Sequence, residues 1–404
     1  MYDRYEITED RTWNMCFNLL LEEGVSELTI NGPNEFFYKQ NGERLPIEGI
    51  PEHDSKTYRE SISKFLTQFV TSFENYNEQS YLFEGPLHFS NDEGDHVQAR
   101  CHIVLPPAAD EPQITIAKKS KSLSTIDAIA DSGSMSSEML HFLKLAVENN
   151  LTIVISGGTG SGKTTMLEAL TKLWPNNLRI GVAEDTPELV LVQDNVAYLH
   201  SVPWRPGTDP TKAANLSWVV QQYLRMRIDK IIVGETRGAE FADFLIAANS
   251  GMEGSLTTIH SNSPILSLNK MTSFVLRGIP GADIRTINND IALAVDLIVQ
   301  IAKLENGRYR TMEITEVTKT LNANDSAKIT THVLYKYVPK SDTFSKENQI
   351  TDELRTHLLS RNQDIDILLA SDINSQAEGH SSTRVVQQTL PRSQGLPTGP
   401  QRTL

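Results

Sequence analysis

Residues 157–164 read Gly157-Gly158-Thr159-Gly160-Ser161-Gly162-Lys163-Thr164. The run fits glycine, four residues, glycine, lysine and a hydroxyl residue. It lies between the apolar segment Leu151 to Ser156 and a helical pattern that begins at Lys163. Glycines let backbone N–H groups curl around phosphate oxygens. A helix starting near Lys163 adds the positive end of its dipole. Lys163 supplies a point charge for the outer phosphates, and the Thr164 hydroxyl is a ligand for Mg²⁺, with Thr165 beside it. This is a site for a nucleoside triphosphate.

Other residues extend that chemistry. Glu184-Asp185-Thr186-Pro187-Glu188 follows the segment RIGVA. Three carboxylates in five residues repel one another unless a cation or a reacting water sits among them. Glu184 or Glu188 is therefore a candidate to orient the attacking water or a metal-bound water. Residues 231–237, IIVGETR, are a hydrophobic strand ending in an acid, the Walker B pattern. Gly234 stands where the magnesium-binding Asp is usual, so Glu235 must do the acidic work, as general base or through a metal-bound water. Arg237 can pair with it or reach phosphate.

His260 follows SLTTI and opens the turn HSNSP. Lys163, Glu184, Glu235 and His260 each follow a predicted strand at its C-terminal end. In an open parallel sheet those ends share one edge, and ligands bind there. His260 is expected to sense the γ-phosphate rather than act as a base. Arg100 projects from the polar face of Val97 to Leu105, which alternates strictly. It is a candidate to neutralise charge as bound phosphate is cleaved. Arg225 and Arg227 have a weaker claim to the same role.

Elements must position these groups. At 404 residues, two to three domains are expected. The first hundred residues read as mixed α and β: a helical stripe from Thr12 to Glu22, a strand at Val25 to Asn31, and a hairpin turning on Asn41-Gly42. Lys118 to Glu138 reads as a linker with one short helix. Strands and helices then alternate, with strands at Leu151 to Ser156, Ile180 to Ala183, Lys230 to Val233 and Ser255 to Ile259. That order calls for a parallel sheet covered on both faces. The expected division is an N-terminal α+β domain over 1–117, a linker over 118–138, an α/β domain over 139–340 and a C-terminal extension over 341–404. The extension lacks aromatic residues from Ser371 and is expected to be disordered from there.

Composition excludes several classes. The net charge of −14 argues against a general nucleic-acid coat. Cys16 and Cys101 are too few for a four-cysteine zinc site, and they fit a reducing cytoplasm. The longest apolar-rich stretch, Ile291 to Ala302, carries Asp296 and is too short to span a bilayer. A GTPase would need Asn-Lys-x-Asp, whereas Asn269-Lys270 is followed by Met271-Thr272.

The order GGTGSGKT, EDTPEL, LRMRIDKIIVGETRG and TTIHSNS resembles the secretion and traffic ATPases, whose Walker A, Asp box, Walker B and His box occur in that sequence. EDTPEL, SELTINGPNEFFY and IVLPP are most similar to the type IV secretion and conjugation ATPases. The resemblance covers roughly Phe17 to Val317. It implies a RecA-like P-loop domain behind a smaller N-terminal domain, with nucleotide at their junction. It implies a hexameric ring at the cytoplasmic face of the bacterial inner membrane, docked there through protein partners. Those partners would be other ATPases and inner-membrane components, without sequence-specific nucleic-acid binding. ATP and Mg²⁺ would be the ligands. Phosphate would be held by Gly157 to Thr165, with Thr164, Glu188 and Glu235 around the metal, Glu188 and Glu235 in catalysis, His260 sensing, and Arg100 reaching over. Two positions depart from the family pattern: Ala117 where arginine is common, and Ile228 where proline is common. A pilus retraction-type motor and a nucleotide-gated scaffold with little turnover are the alternatives.

Overall fold

The computed structural model describes residues 8, 10–69, 81–90, 96–118, 125–202, 213–321 and 328–362. Two sheets carry these residues, the first over one apolar core and the second between two.

The first sheet is built from α1 (Arg11–Leu21), β1 (Val25–Ile30), β2 (Phe36–Gln40), β3 (Glu43–Pro46), α2 (Ser55–Phe69), β4 (Leu82–Ser90), β5 (His96–Val104) and β6 (Gln113–Lys118). Its strand order is β3-β2-β1-β6-β5-β4, antiparallel throughout. Asp10 caps α1 by accepting from the Thr12 and Trp13 N–H groups. Trp13, Cys16, Phe17 and Leu20, at helical spacing, then fall on one buried stripe. Trp13 stacks on Phe65 of α2 with ring centroids 3.9 Å apart. Asn41 and Gly42 both take positive φ, 51° and 95°, as the β2–β3 turn requires. On β5, Val97, Ala99, Cys101 and Ile103 face the core, which leaves Arg100 on the opposite face.

The second sheet follows from α3 (Ile126–Asp131), α4 (Ser137–Glu148), β7 (Ile153–Gly157), α5 (Lys163–Thr171), β8 (Arg179–Glu184), β9 (Asn195–His200), α6 (Leu216–Tyr223), β10 (Lys230–Thr236), α7 (Glu240–Ala248), β11 (Leu256–His260), α8 (Pro264–Gly278), α9 (Ile284–Ala294), β12 (Leu297–Lys303), β13 (Tyr309–Leu321), β14 (Ile329–Val338), β15 (Thr343–Lys346) and α10 (Asp352–Arg361). The order is β15-β14-β13-β12-β7-β11-β10-β8-β9. Strands β12 to β9 in that order are parallel. Alternate residues feed opposite faces. Ile153 and Ile155 pack with α3, α4, α5 and α10, while Val154 packs on the face of α6 to α9. Helices therefore cover both faces.

Three expectations are corrected. The sheet is mixed rather than parallel: β13, β14 and β15 extend it by antiparallel pairing. The turn at Leu304–Arg308, with Gly307 at φ 81°, is too short for a parallel crossover and forces a hairpin. The boundary at 340 is too early. β15 pairs beyond it, and Leu354 and Leu358 of α10 are buried in the same core as Ile153. The stretch 118–138 is less of a linker than its composition suggested. Lys118 ends β6, and Ile126, Ile129 and Met135 are buried against the second sheet. The tail from Ser371, expected to be disordered, lies outside the described residues.

Candidate active site

Neighbouring strands deliver the polar residues in spatial order. From β7 across β11 and β10 to β8, the C-terminal ends carry Gly157, His260, Glu235 and Glu184. The loop after β7 turns through Gly160 and Gly162, at φ 67° and 91°, into the first turn of α5. Gly157 must lack a side chain, since a Cβ there would lie 2.4 Å from Ser161 Oγ and 2.7 Å from the Ile301 carbonyl oxygen. Ser161 Oγ donates to the Gly158 carbonyl at 2.8 Å and braces the loop.

Lys163 is buried at 7% exposure. Its Nζ donates to the Gly157 and Gly158 carbonyls at 3.1 and 2.8 Å, and lies 3.2 Å from His260 Nδ1. His260 Nε2 lies 2.8 Å from Glu235 Oε1. An ammonium only donates and a carboxylate only accepts, so the ring between them is neutral, with its proton on Nε2. Arg237 Nη2 donates to Glu235 Oε2 at 2.6 Å. Lys163, His260, Glu235 and Arg237 thus form one hydrogen-bonded chain along the edge.

The charges follow this packing. Burial pushes Lys163 down to about 8, aided by Arg237 and opposed by Glu235. Burial, then the Lys163 charge, holds His260 below its usual value, against the pull of Glu235. Burial alone would raise Glu235. The Arg237 hydrogen bond and charge, with His260 and Lys163, outweigh it and hold the carboxyl below its usual value. Glu235 is therefore an anion at neutral pH.

Glu184 sits beneath the following loop at 4% exposure, and its Oε1 accepts from the Glu188 and Leu189 N–H groups, both at 3.0 Å. Glu188 lies above it, with Oε1 3.4 Å from Arg100 Nη1 of the first sheet. Arg100, Glu184, Glu188, Glu235, Arg237, His260 and the loop from Thr159 to Thr165 all line one cleft of about 770 Å³. Ala117, opposite Arg100 in the β5–β6 pair, lines it too. Lys118, at the end of the same strand, donates to the Glu22 carbonyl at 3.1 Å. Arg225 and Arg227 do not line the cleft. They precede Lys230, where β10 begins, and so stand at the opposite edge of the sheet.

The far wall of the cleft comes from residues outside the sequence motifs. Ile129, Ser132 and Ser134 come from the α3–α4 region, and Tyr309 opens β13. The Tyr309 ring packs over Gly162, where a Cβ would meet it at 3.5 Å. The signal was present in Glu305-Asn306-Gly307, a turn sequence directly after an apolar run.

These features define an α/β protein with a glycine-rich loop and an acidic cluster at the C-terminal edge of its parallel strands. Residues 20–338 match the family described as type II/IV secretion system protein, and the chain belongs to that family. A putative conjugal transfer protein of Mycobacterium tuberculosis is 32% identical over 216 residues, 53% of this chain and 60% of that protein. The chain thus spans less than two thirds of that relative's length. The type IV secretion system protein VirB11 of Bartonella henselae is 29% identical over 332 residues, 73% of this chain and 89% of that protein. In fold, the chain is similar to the ATPase DotB of Yersinia pseudotuberculosis, with a TM-score of 0.56, 14% identity and coverage of 94% and 89% of the two chains.

Proposed function

We propose that this chain is an ATP hydrolase whose RecA-like P-loop domain powers a type IV secretion or conjugation machine. The observation that carries the reading is the hydrogen-bonded chain from Lys163 through His260 to Glu235 beside the glycine-rich loop. The N-terminal sheet acts as a separate domain, and ATP lies between it and the loop. Membership of the secretion family and the likeness to conjugal transfer and VirB11 proteins support the transport role.

Backbone N–H groups of Gly158 to Thr164 hold the phosphates, and Lys163 exchanges its carbonyl partners for the outer phosphate oxygens. Ionised Glu235 accepts a proton from the attacking water, and Glu188 helps to orient that water. His260 couples Glu235 to Lys163 and so reports the γ-phosphate. Arg100 and Arg237 offset charge that develops on the phosphate. The residues fit Mg²⁺. Thr164 lines the same cleft as Glu188 and Glu235, and Mg²⁺ takes most of its ligands from phosphate and water. Among the described residues no group of three or more His, Cys, Asp or Glu side chains forms a protein cage for a metal, and this ion needs none. When bound, it would neutralise charge between the outer phosphates.

A hexameric ring follows from the same reading, docked to inner-membrane proteins at the cytoplasmic face. No helix among the described residues is long and apolar enough to cross a membrane. The test is Mg²⁺-dependent ATP turnover against protein concentration, with light scattering to count subunits. Specific activity should rise as rings form. ATP binding without turnover at any concentration would instead favour a nucleotide-gated scaffold.

A further inference from the structure

We infer that Glu184 acts as a positioning residue for Glu188, and that glycine at 234 is what makes room for it. The inference rests on the hydrolase reading. β8 and β10 are parallel neighbours with Ala183 opposite Val233, so Glu184 and Gly234 come next along the two strands. A Cβ on Gly234 would lie 3.0 Å from Glu184 Cγ and 3.3 Å from its Oε1. Gly234 is not among the residues with positive φ, so space rather than backbone freedom calls for glycine here. The Gly234 carbonyl is held by Thr258 Oγ1 at 2.6 Å, which fixes the strand at that point.

The carboxylate seated in this space closes the loop. One oxygen, Oε1, takes the N–H groups of both Glu188 and Leu189 at 3.0 Å. Pro187 has no N–H to offer, so these are the first donors after the bend. Leu189 is buried at 4% exposure and pins the far side of the loop. Glu188 is thereby held over the cleft with its own Oε1 3.4 Å from Arg100. Glu184 acts on Glu188 through this backbone, by holding the Glu188 and Leu189 N–H groups. The acid missing from 234 is thus replaced, in the same volume, by a side chain from the next strand that orders a loop.

Three variants test this by kcat, KM for ATP and hydrogen exchange at the Glu188 and Leu189 amides. Glu184→Ala removes the acceptor. It should speed exchange at both amides and lower kcat about 100-fold, the scale of an ångström-sized misplacement, with KM held within about threefold. Glu184→Gln keeps an oxygen acceptor for both amides. It should keep their protection and lose no more than about threefold in kcat. Gly234→Ala should displace Glu184 and reproduce Glu184→Ala, and the double variant should be no worse than either single one. The inference is overturned if Glu184→Gln keeps amide protection yet is as inactive as Glu184→Ala, because the charge itself then takes part. It is overturned equally if the Gly234→Ala and Glu184→Ala losses multiply. Absence of turnover in the unmutated protein would sink the hydrolase reading, while the exchange rates would still decide whether Glu184 holds the loop.

Discussion

The two sheets present functional side chains in different ways. In the nine-stranded sheet the inner parallel strands β7, β8, β10, β11 and β12 are largely buried, so their faces hold mostly packing residues and the candidate site residues come from their C-terminal ends. Register then fixes the site. His260 pairs with Gly157 in the β11–β7 ladder, and Glu235 lies on the next strand. In the six-stranded antiparallel sheet one face is core and the other is open, so Arg100 comes from the middle of a strand. Its reach to Glu188 depends on how the sheets sit together, and the contact, at 3.4 Å, is between partly exposed groups. The lesson is that an end-of-strand site is built by sheet pairing, whereas a face-of-strand contribution is adjustable.

The largest effect that would break this contrast falls on the parallel edge. Lys163→Ala should reduce ATP turnover about 10³-fold, as for loss of a buried charge-stabilising donor, measured by steady-state phosphate release. A loss no larger than that of Arg100→Ala would contradict the ranking. Next is the packing of α10. Leu358→Ala should destabilise the second sheet by about 2–5 kcal/mol, read by urea unfolding, because Leu358 is buried with Ile153. A change under about 0.5 kcal/mol would mean that the chain beyond 340 is an appendage.

Arg100→Ala should lower turnover about tenfold, at the mild end for such a group, and leave the unfolding midpoint unmoved because exposed pairs add little stability. The smallest expected effect is on pH dependence. Lys163 is charged below about 8 and loses its proton above it. ATP binding should therefore weaken as pH rises from 7 to 9, by no more than about tenfold over the whole interval. Titration calorimetry with Lys163→Arg, whose charge persists, should show the dependence vanish.

Much of the second sheet was legible in the sequence because each chemical motif follows an apolar strand. The residue types at 157–165, 184–188, 235–237 and 260 therefore mark both chemistry and position. The antiparallel extension was not legible by the same rule. β13 is a long strand of mixed polarity, and its Tyr309 reaches the cleft from a hairpin rather than from a parallel strand end. The side-chain partition among the acids was also hidden. Spacing shows that Glu184 and Glu188 are close, but only the register of β8 against β10 shows Glu184 under the loop, in the space that Gly234 leaves. Arg225 and Arg227 misled because nearness to Walker B in sequence is nearness to the wrong end of its strand.

In the proposed mechanism Glu235, ionised and held by His260 and Arg237, is the base of an ATP hydrolase. The most direct measurement is Mg²⁺-dependent ATP turnover by Glu235→Gln beside the unmutated chain, with ATP affinity measured in parallel. The expected result is a loss in kcat of about 10²–10⁴-fold, with affinity changed by less than about threefold. Turnover of the variant close to that of the unmutated chain, with the same affinity, would contradict it and move the base to another carboxylate of the cleft.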